Sequence, residues 1–194
     1  MSREGTLVFR ESVGRDALVA VARRLGWVSS GDVQRGHFVL ASERFTTSDG
    51  TTVEYLEDHT SDVRFAQVSG PSAQAVTSIL RESLPHYDAQ ALLETLPDAE
   101  EPLAWIRGLS RLSVYRPDAT HPRYLAVWSR ALNHTDEAVR RAAIRTCYGC
   151  RWPELVPLVL GRVAVEPTLR RPLEALARHL QSQAKGGPTT RPSA

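Results

Sequence analysis

Asp136-Glu137-Ala138-Val139-Arg140-Arg141 is echoed thirty residues later by Glu166-Pro167-Thr168-Leu169-Arg170-Arg171. Each stretch opens a helical pattern with an acid, sets an aliphatic residue three positions on and follows it with an arginine pair. A spacing near thirty marks stacked helix pairs, because one such unit cannot bury its apolar face alone and needs a neighbour. Stacks of this kind mostly serve as binding surfaces.

Around these stretches the apolar spacing of three and four predicts five helices. The first opens at Pro102 and carries Leu103, Ile106, Leu109 and Leu112. The second runs from about His121, with Tyr124, Leu125, Trp128 and Leu132 on its face. The third starts at Asp136 and buries Val139, Ala142, Ala143 and Cys147. A fourth runs from Pro153 through Leu155, Leu158, Val159 and Val163. The fifth begins at Pro167 and uses Leu169, Leu173, Leu176, Ala177 and Leu180. Short polar turns between them predict antiparallel neighbours.

Residues 131–144, from Ala131-Leu132-Asn133-His134 through Val139-Arg140-Arg141 to Ala142-Ala143-Ile144, resemble the HEAT-repeat family. They match its leucine-bearing first helix, its turn with an acid, its valine-arginine step and its small residues. The resemblance spans roughly residues 99–181. The second unit departs from it at Pro172, which stands where Ala142 stood and predicts a shortened or kinked helix start. Membership implies a right-handed α-solenoid of helix pairs with a binding face, and it carries over no catalytic residue.

The first half reads differently. Thr6–Arg10 is short, β-branched and aromatic, a strand. Ala17, Leu18, Val21, Ala22 and Leu25 make a helix that Gly26 stops, with Trp27 and Val28 folding back on the same apolar face. A second strand begins at His37 and runs toward Phe45. Asp49-Gly50 turns the chain, since such a turn needs positive φ. Val53 and Tyr55 lie on the next strand, and Val63–Val68 form another. Gly70-Pro71 ends the sheet, with Pro71 at the start of a helix over Ser72–Leu84 whose buried stripe is Val76, Ile79, Leu80 and Leu84. Asp88 caps a short helix over Ala89–Leu96. The expected fold is α+β: a small antiparallel sheet with helices on one face, in the order β-α-β-β-β-α, followed by the HEAT-like stack. The expected divisions are a sheet domain over 1–98, a helical domain over 99–181 and a disordered tail over 182–194, where apolar periodicity ends. The sheet is expected to cap the first helix of the stack.

Arginine supplies nearly all positive charge, because Lys185 is the one lysine among 24 basic residues. Residues 1–98 hold 9 Arg against 14 acids, a balance of −5, while residues 99–194 hold 14 Arg and Lys185 against 8 acids, a balance of +7. Opposite charge on the two halves predicts two units with different surfaces, which either attract each other or each face a partner of their own. No apolar run is long enough to span a bilayer, and the N-terminus lacks a secretory pattern, so the cytoplasm is the expected location.

Three groups of residues are candidates for chemistry. Cys147-Tyr148-Gly149-Cys150 has the spacing of a redox pair or half a zinc site, yet it falls at the end of a helix, where the dipole raises a thiol pKa, and no second pair completes a zinc set. Cys147 is therefore expected in the core. Glu57, Asp58, His59 and Asp62 gather acids and an imidazole in one turn, but no nucleophile accompanies them. The sharpest group is Arg140, Arg141, Arg145, Arg170, Arg171 and Arg178, which stacking would join into a basic ridge for an acidic protein or for phosphates. The competing reading is that they pair with Asp136, Glu137, Glu166 and Glu174 inside the array. Tyr124, Trp128, Tyr148 and Trp152 are expected mostly in the core, with an exposed one serving as an anchor. The function expected is a non-enzymatic protein–protein interaction module, a bacterial adaptor or immunity-type protein, without metal, cofactor or membrane partner. Nucleic-acid binding by the basic helices is the alternative.

Overall fold

The computed structural model describes residues 5–32, 41–58, 62–117 and 119–185. His37–Leu40, His59, Asp118 and residues 186–194 lie outside the described residues. The chain divides into two compact units. Ser2–Leu92 with Ser110–Tyr115 form a sheet unit, and Leu93–Leu109 with Arg116 onward form a helical unit.

The sheet unit holds β1 (Thr6–Val8), α1 (Arg15–Arg24), β2 (Val28–Asp32), β3 (Ala41–Thr46), β4 (Thr52–Asp58), β5 (Val63–Ser69) and α2 (Ala73–Ser83). Its five strands run in the order β1-β5-β4-β3-β2, antiparallel throughout. Side-chain alternation builds the core. Leu7, Ala66 and Tyr55 pair across three strands, as do Val68, Val53 and Phe45, and all six face α1 and α2. The fold is α+β with helices on one sheet face, as the sequence predicts.

β2 is a correction to the expected strand order. Val28-Ser29-Ser30-Gly31-Asp32 is too polar to read as a strand, but at the sheet edge it needs no apolar face. Its pairing with β3 shifts between Ser29 and Asp32, where Gly31 has φ 86°. Val28, expected on the apolar face, is 68% exposed there, while Trp27 does pack on the core. Gly26, at φ 69°, ends α1 as expected: the Trp27 amide donates to the Ala22 carbonyl at 2.9 Å, closing the turn.

The turn over Thr47–Thr51 ties β3 to β4. Asp49 accepts from the Thr51 amide at 3.1 Å and from the Thr47 and Ser72 hydroxyls. Those bonds, Ser72 first, hold the exposed Asp49 carboxyl well below the usual carboxylate range. Gly70 lies beside this turn at φ 124°, and a Cβ there would meet Thr51 Cα at 2.7 Å. Pro71 precedes the N-cap Ser72 of α2 and is not the first helical residue. Within α2, Ile79 is 37% exposed and Thr77 takes its place in the core, bonding the Ala73 carbonyl at 2.7 Å.

α3 (Ala89–Thr95) begins where Asp88 accepts from the Ala91 amide at 2.8 Å, the expected cap. A 3-10 turn over Leu96–Asp98 follows, then α4 (Pro102–Tyr115), α5 (Pro122–Leu132), α6 (Glu137–Cys147), α7 (Leu155–Val165) and, after a second 3-10 turn at Pro167–Leu169, α8 (Arg170–Lys185). In α4 the inward residue is Trp105, 1% exposed, and Leu103 is 51% exposed. The Trp105 indole donates to the Ala99 carbonyl at 2.9 Å. α8 continues to Lys185, so 182–185, expected in the tail, are helical.

Four helices of the helical unit pack as α5 on α6, α7 on α8, α5 beside α7 and α6 beside α8. Bonds at both ends set the directions. Thr120 donates to Glu154 at 2.5 Å near the starts of α5 and α7, and Arg162 donates to Asn133 at 3.4 Å near their ends. Thr168 donates to Glu137 at 3.3 Å near the starts of α6 and α8, and His179 bonds the Tyr148 carbonyl at 2.8 Å where α6 ends, past the middle of α8. Both α6–α8 bonds join residues 31 apart. A constant offset at two ends means parallel helices in a fixed register. Val139 and Leu169 are interior, at 0% and 1% exposure.

Candidate partner-binding face

Asp136 starts α6 as its N-cap. Its carboxylate accepts from the Ala138 and Val139 amides at 2.7 and 3.3 Å, satisfying two of the orphan donors of the first turn. The 3.6-residue period then turns Val139, Ala142, Ala143 and Cys147 inward and leaves Arg141 and Arg145 outward.

Glu166 holds the same place in the second stretch and does something else. It makes no cap bond. One carboxylate oxygen accepts from Thr168 Oγ1 at 2.8 Å and from an Arg140 terminal nitrogen at 3.2 Å. The other lies 2.9 Å from Arg140 Nε and accepts from Arg162 at 2.7 Å. Arg140 also donates to the His134 and Thr135 carbonyls, at 2.7 Å each. The Thr168 hydrogen bond, with the two guanidinium groups after it, lowers the Glu166 pKa against the opposing effect of burial. Two cations share one anion, and Nε of both Arg140 and Arg162 is buried without a well-aligned acceptor. Arg140, expected on the outward ridge, thus has a side chain only 13% exposed and pins the α5–α6 turn to the end of α7.

The other five expected residues are exposed. Arg141 is held by Glu137 one turn earlier, at 2.7 Å, as the competing internal-pair reading anticipates. Arg145 lies further along the same side of α6, and it too has a partner. On α8, Leu173, Leu176, Ala177 and Leu180 are buried. Arg170, Arg171 and Arg178 emerge on the opposite side and meet no carboxylate among the described residues. Arg171 and Arg178 are seven apart, two helical turns, so they share a side. Half-buried Glu174 sits between them, three residues from one and four from the other, and forms no ion pair with either.

The sequence reading missed Arg162, the second cation on Glu166. Its position four residues before the acid is a legible helix-pair spacing. Of the aromatic residues, Tyr124, Trp128 and Trp152 form a core cluster, with Trp128 and Trp152 edge to face at 5.8 Å. Trp128 donates to Thr146 at 3.0 Å and Trp152 to the Pro117 carbonyl at 3.2 Å. Tyr148 is exposed beside His179, their rings 5.3 Å apart.

Cys147 and Cys150 are both buried and unbridged. Burial first, and then the neighbouring Cys150, push the Cys147 thiol well up. At the Glu57–Asp62 turn, Glu57 accepts from Tyr55 at 2.6 Å and lies 3.8 Å from Arg64. Among the described residues no group of three or more His, Cys, Asp or Glu is arranged to hold a metal ion, and no helix is long and apolar enough to cross a membrane. Comparison with protein-family models, with curated proteins and with solved structures finds no match.

Proposed function

We propose that this chain is a non-catalytic interaction protein whose helical unit docks an acidic protein surface on the exposed arginines of α8. One observation carries the reading. Arg140 and Arg162 are consumed by Glu166, and Arg141 by Glu137, whereas Arg170, Arg171 and Arg178 stand in solvent with no carboxylate partner among the described residues. Unused guanidinium forks on a rigid helix are pre-organised for carboxylates of a partner. Parallel α5 and α7, and parallel α6 and α8, support a HEAT-like array as the scaffold. A bacterial cytoplasmic adaptor or immunity-type protein is the class of interaction protein this suits, by analogy of fold.

The test is affinity capture from the native host with the wild-type chain and with Arg170, Arg171 and Arg178 all changed to Glu. The proposal expects the principal captured protein to be acidic and to be lost with the variant. An unchanged set of captured proteins overturns it. Capture of duplex DNA, with affinity falling steeply as salt rises, would replace it with the nucleic-acid reading.

A further inference from the structure

A second cluster of arginines lies in the sheet unit, whose half of the sequence is net acidic. After β1 the chain pairs briefly with Pro85–Tyr87: Phe9 bridges His86, the Arg10 amide donates to the Pro85 carbonyl at 3.1 Å, and the Tyr87 amide donates to the Val8 carbonyl at 2.8 Å. This rung places Arg10 next to the end of α2. There an open cleft of about 400 Å³ is lined by Arg10, Arg81, Glu82, Ser83, Pro85 and His86.

Two of the three cations here are positioned by neutral groups. Arg10 donates from Nε to the His86 carbonyl at 3.3 Å, and its guanidinium lies 5.1 Å from the centre of the Tyr87 ring. Arg24, in the last turn of α1, donates to the Ser83 hydroxyl at 3.0 Å. Arg81 is exposed in the last turn of α2. None of the three meets a carboxylate among the described residues, so most of their N–H donors remain free. His86 Nδ1 lies 3.1 Å from the Leu84 carbonyl, which accepts its proton and leaves Nε2 uncommitted. Glu82 is the one acid on the lining.

We infer that this cleft binds a phosphate group, as the inorganic ion or as a phosphate monoester. Guanidinium forks of Arg10, from the end of β1, and Arg81, from α2, line the cleft, and Arg24 of α1 approaches it through Ser83, so donors lie in several directions. That arrangement matches the tetrahedral oxygens of a phosphate better than the flat fork of one carboxylate. The Tyr87 ring and the His86 carbonyl hold the Arg10 fork and Ser83 holds that of Arg24, so less ordering of these two is left for the ligand to impose. The site does not involve α8 and is independent of the docking proposal.

Backbone and arginine side-chain NMR shifts of the full chain, followed at constant ionic strength, test it. The probes are inorganic phosphate, O-phosphoserine and ribose 5-phosphate, with chloride as the reference anion. The inference expects saturable shifts centred on Arg10, Arg81 and His86. Arg81→Gln, which removes a partner-free exposed group, should weaken binding about tenfold. Arg107→Gln, an exposed residue of α4, should leave it unchanged. Tighter binding of the two esters than of inorganic phosphate assigns the monoester, and equal binding assigns the bare ion. Shifts that never saturate, that chloride reproduces, or that survive Arg81→Gln undiminished overturn the inference.

Discussion

Arg140 and Arg170 occupy matching places in two similar stretches and meet opposite fates. Arg140 closes on Glu166 and two carbonyls, while Arg170 points into water. Replacing Arg140 by Ala should cost about 2 kcal/mol in urea unfolding. That is less than the roughly 3–5 kcal/mol for breaking a fully buried pair, since Arg162 still holds the acid. Arg170→Ala should stay within about 0.5 kcal/mol of wild type. Glu166 adds a pH signature. Its folded pKa is lowered, so its contribution is fully present above the unfolded value, near 4.5, and fades as pH falls through the folded value. Glu166→Gln should therefore be clearly less stable than wild type at pH 7, and the gap should narrow steadily below pH 4.5. A gap that stays constant down to pH 2 would show that the carboxylate charge is not what matters. The sequence held half of this cluster. Arg162, in the last turn of α7, and Glu166, its C-cap, sit four apart, a readable spacing, but Arg140 is 26 residues from Glu166 and reaches it only through the folded stack.

At the scale of elements, Pro172 is the instructive case. Counted from Pro167 it falls inside a helix, and the sequence predicts a shortened or kinked start. The structure makes Pro167–Leu169 a 3-10 turn and begins α8 at Arg170, so Pro172 stands in the first turn of the α-helix. Amides there lack intrahelical partners anyway, and proline costs little. Pro172→Ala should lower stability slightly, by about 0.5 kcal/mol, through a freer unfolded chain. A helix-breaking proline would instead give a gain of about 3 kcal/mol on removal. Gly70→Ala should cost more, about 1–3 kcal/mol, because the added Cβ meets the Thr51 backbone at a positive φ. Helices with full apolar stripes, α6 and α8, were legible residue by residue. β2 was not, because an edge strand of serines and glycine carries no apolar period. Ile79 and Leu103 were misread because spacing alone cannot choose between two adjacent stripes when Thr77 or Trp105 also fits inward.

For the molecule as a whole, the α+β class was readable because two different apolar periods divide the chain. The charge division, −5 against +7, was readable as well. What sequence could not supply was which arginines remain unspent after folding. On α8 they are Arg170, Arg171 and Arg178, and in the sheet unit they gather where α1 and α2 end. The docking proposal takes the HEAT-like array as its scaffold, in which α6 and α8 lie side by side in the same direction. Spin labels on cysteines replacing Ala138 and Arg170, compared with labels replacing Ala138 and Gln181, measure this directly by electron–electron distance. Parallel packing predicts that the first pair is shorter than the second by on the order of 10 Å, given about 1.5 Å of rise per residue along α8. Equal distances, or a shorter second pair, would contradict it.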